Sequence, residues 1–286
     1  MKTYNDIYLD TRRGLRSGGI ERYDFEALQI VCASAGKSKE RLLRDLRMFA
    51  SDGSCERGAA DAVARRVGGE PLAYILGEWE FYGLPIRVSG DVLIPRTDTE
   101  VLAREGIKLA ERAGRGARVL DLCAGSGCVG LAIAANVKAC RVTLVDNSPG
   151  ALKLCKENTS RNGLTRGAVC VDADVRSNPP VMLGQYNLVV CNPPYIPTGD
   201  IDKLDYSVRA FEPHAALDGG HDGLDFFRVI TDMWAPLLRE GGSMAFECGA
   251  GQSGSVAEIM APHGFTDIRA LADTAGIERV VVGRLL

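Results

Sequence analysis

The chain opens with apolar positions at helical spacing. In Phe25-Glu26-Ala27-Leu28-Gln29-Ile30-Val31 and Glu40-Arg41-Leu42-Leu43-Arg44-Asp45-Leu46 they recur at i, i+3 and i+4, the pattern of a half-buried helix. Glycines at 18–19, 36, 53 and 68–69 punctuate these segments, as turn-formers do. Residues 1–77 are therefore predicted to form a small helical bundle. Residues 78–98 change character. Glu80-Phe81-Tyr82-Gly83-Leu84-Pro85-Ile86-Arg87-Val88 is aromatic and β-branched, and Val92-Leu93-Ile94-Pro95 follows Ser89-Gly90-Asp91. Two short strands around a Gly-Asp turn predict a β-hairpin linker.

From residue 99 to 286 apolar runs of strand length alternate with helical segments. The strands are placed at Arg118–Leu122, Arg141–Asp146, Ala168–Asp172, Asn187–Cys191 and Ser243–Glu247. A helix is expected from Val129 to Ala135. Ser148-Pro149 reads as the N-cap and first position of another. Thr266–Leu271 and Arg279–Arg284 are two more apolar strands with no helix-length segment between them. Such alternation predicts an α/β, doubly wound, Rossmann-like sheet with a largely parallel core. Two strands joined without a crossover add an antiparallel partner at one edge.

The first of these strands runs into Cys123-Ala124-Gly125-Ser126-Gly127. Its glycines allow a tight turn and close approach of a ligand to the backbone. The helix N-terminus behind them offers free N–H groups to an anion, such as the carboxylate of S-adenosylmethionine. Asp146 closes the second strand about 20 residues later, where a carboxylate accepts from ribose hydroxyls. Asp174 and Val175, after the third strand, are candidates for contact with an adenine amino group and ring. Gly130 stands three residues after Gly127, so spacing alone leaves a nicotinamide dinucleotide open.

The fourth strand decides for a methyl donor. Asn192-Pro193-Pro194-Tyr195 follows it directly, at the strand end where ligands bind in open parallel sheets. The two prolines fix φ and remove two N–H donors, leaving a stiff loop that displays carbonyl oxygens. An amide nitrogen is a poor nucleophile. Its two hydrogens can be accepted by the Asn192 side-chain oxygen and the Pro193 carbonyl, which orients the nitrogen and favours the positive charge that develops on it. Tyr195 is placed to cover the flat target group. No strong general base is required.

Composition narrows the class. At 286 residues with 46% hydrophobic and 25% charged residues, the chain has material for a core and for two domains. A net charge of -3 argues against holding nucleic acid by charge alone. The nine cysteines form no Cys-x-x-Cys pair, and no apolar leader opens the chain, so a reduced, cytoplasmic setting is expected. No apolar run approaches a membrane span. The three histidines, His214, His221 and His263, have no metal-ligand spacing, and no metal is expected.

On these residues the chain resembles the release-factor glutamine methyltransferase family (PrmC, or HemK). The likeness extends beyond Asn192–Ile196 to Arg66-Val67-Gly68-Gly69-Glu70-Pro71-Leu72-Ala73-Tyr74-Ile75-Leu76-Gly77, Glu80–Leu84 and Leu93-Ile94-Pro95-Arg96-Thr97-Asp98-Thr99-Glu100. It continues through Glu212-Pro213, Ala216-Leu217, Gly219-Gly220 and Asp222–Asp225. Asn-Pro-Pro-Tyr alone is shared with DNA adenine methyltransferases; the Leu-Ile-Pro-Arg segment is more family-specific. The resemblance implies an N-terminal helical domain that recognises substrate, a hairpin linker and a seven-stranded class I methyltransferase domain. It implies binding of S-adenosylmethionine by residues 123–127 and Asp146, with S-adenosylhomocysteine as product. Asn192 would touch cofactor and substrate, and residues 192–195 would hold the target. That target would be N5 of the glutamine in the Gly-Gly-Gln loop of class 1 peptide-chain release factors 1 and 2. Cys123 departs from the family's first glycine, and Thr97 from its proline after Arg96.

Three other readings compete. A sister enzyme methylates a glutamine of a large-subunit ribosomal protein with the same loop. A nucleic-acid methyltransferase would flip an adenine or guanine into the pocket and would want a basic recognition region. Residues 1–77 hold 13 Lys/Arg against 11 Asp/Glu, which supplies little. A non-enzymatic binding protein would have no need of the intact catalytic loop.

Overall fold

The computed structural model describes residues 1–286. The chain divides into two compact units, residues 1–77 with 205–211, and residues 78–204 with 212–286.

The first unit is helical: α1 (Tyr4–Ser17), α2 (Tyr23–Ala35), α3 (Lys39–Asp45), α4 (Ser54–Val67) and α5 (Leu72–Leu76), joined by a short helix at Tyr206–Phe211. Helix α1 starts at a capping box, in which Thr3 Oγ1 accepts from Asp6 N at 3.1 Å and Asp6 Oδ2 accepts from Thr3 N at 2.9 Å. Such caps contribute about 1 kcal/mol. Ile7, Leu15, Ala27, Ile30, Val31, Leu42 and Ala59 form the interior. The Arg66–Gly77 motif is structural here. Arg66 makes a two-pronged ion pair with Glu26 at 2.6 and 3.1 Å, fastening α4 to α2. Gly69 (φ 97°) lies so close to Tyr206 that a Cβ would stand 2.7 Å from its ring.

The second unit begins with the antiparallel hairpin β1 (Glu78–Phe81) and β2 (Leu84–Arg87). Its turn is Tyr82-Gly83, not the expected Gly90-Asp91. Tyr82 (φ 51°) and Gly83 (φ 76°) are both left-handed, the backbone of the two-residue turn that matches strand twist. The aromatic run therefore folds back on itself, and Val92–Pro95 forms no strand.

The main sheet contains β3 (Arg118–Leu122), β4 (Arg141–Asp146), β5 (Ala168–Asp172), β6 (Tyr186–Cys191), β7 (Leu238–Glu247), β8 (Phe265–Ala272) and β9 (Glu278–Leu285). Their order is β5-β4-β3-β6-β7-β9-β8. The first five strands in this order are parallel; β9 is antiparallel to both β7 and β8. This is the largely parallel sheet with an antiparallel edge expected from the alternation, and it has the seven strands of the class I methyltransferase domain that the resemblance implied. The helices are α6 (Glu100–Ala113), α7 (Cys128–Asn136), α8 (Pro149–Arg161), α9 (the Tyr206–Phe211 helix of the first unit), α10 (Asp225–Trp234) and α11 (Ser253–Met260). Ser148 caps α8 with Pro149 at its first turn. Strand order reverses between β3 and β6, so a crevice opens beyond their carboxyl ends. Beneath it Tyr186, Phe227, Trp234 and Phe246 anchor the core.

Candidate active site

A cavity of about 320 Å³ fills that crevice, walled by residues from the loops after β3, β4, β5 and β6. Its size is that of a small-molecule site. After β3 the chain turns sharply. Cys123 (φ 54°) and Gly125 (φ 55°) are left-handed, and open space stands where a Gly125 Cβ would be. Ala124 N donates to Val145 O at 2.9 Å, and Gly125 N donates to Asp146 Oδ2 at 2.8 Å. The turn is thus tied to the end of β4. Gly127 caps α7 (φ 80°) and faces inward, where a Cβ would meet Cys155 Sγ at 2.8 Å.

Asp121 fastens this helix to β3: its buried Oδ2 accepts from Gly130 N at 2.8 Å. Burial pushes its carboxyl up to about 7, with the neighbouring Asp146 charge adding to the rise. Gly130 has no room for a side chain, since a Cβ would stand 2.3 Å from Leu144. Its place in a dinucleotide-like spacing is explained by this packing.

Asp146 lines the cavity with both oxygens engaged from the protein side, Oδ1 with Ser148 N at 2.9 Å and Oδ2 with Gly125 N at 2.8 Å. Each carboxylate oxygen has a second acceptor direction free for a ligand hydroxyl. Asp174 also lines it. Arg176 binds that carboxylate through Nε at 3.2 Å and Nη2 at 3.1 Å and holds its pKa below the usual range. Val175 packs beside it, and its carbonyl accepts from the buried Trp234 indole at 2.9 Å, which fixes the loop.

Asn192 leaves β6 at the cavity wall. Its Nδ2 donates to the buried Thr99 Oγ1 at 3.4 Å. The two prolines and Tyr195 are clamped from outside. Ile196 N donates to Leu217 O at 3.0 Å, Gly219 N to Ile196 O at 2.9 Å, and Gln252 Nε2 to Tyr195 O at 2.9 Å. A Cβ at Gly223 would stand 2.3 Å from Tyr195 O. The Gly219–Gly223 segment is therefore the backing of the Asn192–Tyr195 loop.

The structure gathers Cys123, Ala124, Gly125, Ser126, Asp146, Asp174, Val175, Asn192 and Pro194 around the one cavity. Gly127, Pro193 and Tyr195 do not line it. The Tyr195 ring lies against the core, with Oη 3.5 Å from Glu247 Oε1. Several wall residues carried no sequence assignment. Phe226 and Arg176 form an aromatic-cation wall, with the guanidinium 6.0 Å from the ring centre. Arg96 pairs with the buried Glu212, whose Oε2 also accepts from Ile94 N at 3.2 Å. That pairing explains why the Leu-Ile-Pro-Arg and Glu-Pro motifs occur together.

Two family models match the chain: the PrmC N-terminal domain over residues 7–77 and the methyltransferase small domain over residues 99–208. A release factor glutamine methyltransferase of Geobacter sulfurreducens is 39% identical over 97% of this chain and 95% of its own length. One of Bradyrhizobium diazoefficiens is 34% identical over 94% and 91%. Among solved structures, the hMettl16 catalytic domain in complex with an RNA hairpin aligns with a TM-score of 0.58, covering 79% of this chain and 82% of that one at 17% identity. That likeness extends to the fold alone. With relatives this similar aligned from end to end, the chain belongs to the release factor glutamine methyltransferase family.

Proposed function

We propose that the protein transfers a methyl group from S-adenosylmethionine to N5 of the glutamine in the Gly-Gly-Gln loop of peptide-chain release factors 1 and 2. The observation that carries the reading is Asn192 at the end of β6, on the wall of the cavity that Gly125 and Asp146 also line. Family membership supplies the substrate class.

The residues present suit the cofactor. Asp146 offers acceptor directions to ribose hydroxyls, and the turn at 123–126 leaves open space beside Gly125. Val175 and Phe226 give apolar wall to an adenine ring, and Asp174 an acceptor for its amino group. When bound, S-adenosylmethionine supplies an electrophilic methyl group on a sulfonium. The chain's own residues do the rest. Asn192 Oδ1, on the cavity wall, accepts one amide hydrogen of the target, and the Pro193 carbonyl, which does not line the cavity here, is the expected acceptor of the other; together they hold its nitrogen in line. They also stabilise the charge that grows on that nitrogen as the carbon–nitrogen bond forms. One N–H proton then leaves to solvent, and the product is an N-methyl amide.

The helical unit, residues 1–77, is the substrate-recognition element in this reading, and the hairpin a spacer. A bare amide pocket cannot tell a protein glutamine from free glutamine. Remote contacts must supply the binding energy that seats the loop. The deciding experiment offers the protein a labelled methyl donor together with a release factor, large-subunit ribosomal proteins and DNA. Label on the Gly-Gly-Gln peptide supports the reading; label confined to ribosomal protein or DNA refutes it.

A further inference from the structure

Glu247 is the last residue of β7, and Asn192 follows the last residue of β6. The strands are paired in parallel with Cys191 opposite Phe246, so Asn192 and Glu247 emerge side by side. Glu247 is only 2% exposed, and its Oε2 is buried without a well-aligned hydrogen bond. Oε1 receives a long 3.5 Å contact from Tyr195 Oη. The side chains of Thr99 and Asn192 both face this carboxyl, and Asn192 Nδ2 reaches Thr99 Oγ1. A buried carboxylate with no ion-pair partner is costly.

An asparagine amide has an acceptor end and a donor end of nearly equal shape. Either can face the substrate, but only Oδ1 can accept an amide hydrogen. Thr99 cannot choose between them, because a hydroxyl both donates and accepts. An ionised carboxylate only accepts. We propose that Glu247 is a positioning residue for methyl transfer: its carboxylate holds the Asn192 amide, directly and through the Thr99 hydroxyl, with Nδ2 turned inward and Oδ1 turned to the target glutamine. The inference rests on the acceptor role proposed above for Asn192.

The arrangement is sensitive to one proton. Burial pushes the Glu247 carboxyl up to about 7, and the nearby Asp98 charge adds to the rise; Thr99, Arg279 and Asn192 oppose it. Arg279 is itself shared with Asp98 at 3.1 Å and Asp273 at 3.0 Å. The other titratable groups facing Glu247 are the Tyr195 phenol and the thiols of Cys128, Cys191 and Cys248, all raised by burial and therefore neutral. Once protonated, Glu247 loses its charge and gains an O–H donor beside its remaining acceptor, so it no longer selects Nδ2 over Oδ1. The rate should rise with pH through about 7.

The test compares the full-length protein with its Glu247→Gln variant on an intact class 1 release factor. In the variant kcat should fall about 10- to 100-fold, by analogy with losing one preorganised contact. KM for the factor and calorimetric affinity for S-adenosylmethionine should stay within about twofold, and the rise through neutral pH should vanish. Melting temperature should hold or increase, because a buried charge is removed. A merely structural glutamate would instead lose stability and kcat together. Retention of kcat in the variant, or a wild-type rate that is flat between about pH 6 and 8.5, overturns the inference. The wild-type profile decides even if the variant does not fold. Asn192→Ala, assayed in parallel, separates the two layers. An active Asn192→Ala refutes the acceptor role itself. An inactive one beside an active Glu247→Gln refutes only the positioning.

Discussion

Asn158 donates from Nδ2 to the carbonyl of Ser126 at 2.9 Å, tying helix α8 to the glycine turn of the active site. The same amide donates to Arg87 O at 3.0 Å and accepts from Arg87 N at 2.7 Å. One fully buried side chain thus joins the hairpin, α8 and the cavity wall. Asn158→Ala leaves the Ser126 carbonyl and the Arg87 backbone without partners. Each unsatisfied group costs about 1–3 kcal/mol. Chemical denaturation should show a loss of about 3 kcal/mol, and S-adenosylmethionine affinity should drop by roughly tenfold as the turn loosens. Unchanged affinity would confine Asn158 to the hairpin.

Asn192→Ala removes the acceptor proposed for the target amide while leaving β6 intact. A loss of about 10²–10³-fold in kcat is expected, by analogy with deletion of one oxyanion-hole donor. Thr99→Ser keeps the hydroxyl that Asn192 Nδ2 reaches and should keep most of the rate. Single-turnover labelling of a release factor measures both. An active, well-folded Asn192→Ala would remove this residue from the mechanism.

Asp146→Ala acts on cofactor binding more than on chemistry. It deletes the acceptors proposed for the ribose and also frees Gly125 N and Ser148 N. Loss of charge-assisted hydrogen bonds costs roughly 1.5–3 kcal/mol, read directly by titration calorimetry with S-adenosylmethionine. Equal affinity in mutant and parent would make Asp146 a turn-holding residue only.

Much of this site was legible because its parts are local. A buried apolar strand followed by Asn192-Pro193-Pro194-Tyr195, or by a glycine turn, declares its place in a few residues. The sheet itself was readable from periodicity, including the antiparallel pair at its edge. The hairpin was misplaced because Tyr82 adopts a left-handed backbone that its residue type disfavours, whereas Gly90-Asp91 looked the better turn. The links from Asn158 to Ser126, from Arg96 to Glu212 and from Trp234 to Val175 span 32, 116 and 59 positions. No local pattern announces contacts of that kind. Tyr195 shows the converse: its motif was plain, but the fold turns its ring toward Glu247 rather than to the cavity wall.

Stability should decline as pH rises from about 4 through about 7. Asp121 and Glu247 have folded-state pKa values raised to about 7. A carboxyl with a raised folded pKa binds its proton more tightly in the native state. The native state is therefore favoured while the proton stays bound, and that advantage is lost as pH climbs through the folded value. Asp121→Asn keeps an acceptor for Gly130 N and removes the titration. Melting curves across this range should show a shallower decline in the variant; an unchanged slope would mean that Asp121 is ionised throughout.

The helical unit carries its own exposed apolar residues. Leu43, Met48 and Phe49 are 48%, 59% and 63% exposed, and they lie within seven positions of one another around the end of α3. Large apolar groups left exposed can serve as sites of association. If residues 1–77 grip the release factor, such groups are its natural anchors, because aromatic and Met side chains are enriched at interfaces. Replacing Met48 and Phe49 together by serine should change stability little, since exposed positions tolerate substitution within about 0.5 kcal/mol. KM for the intact factor should rise about tenfold, the equivalent of roughly 1.4 kcal/mol of lost binding. A short Gly-Gly-Gln peptide, which cannot reach a remote anchor, should be methylated equally by both forms. An intact-factor KM unmoved by the double substitution would place the grip elsewhere on the chain.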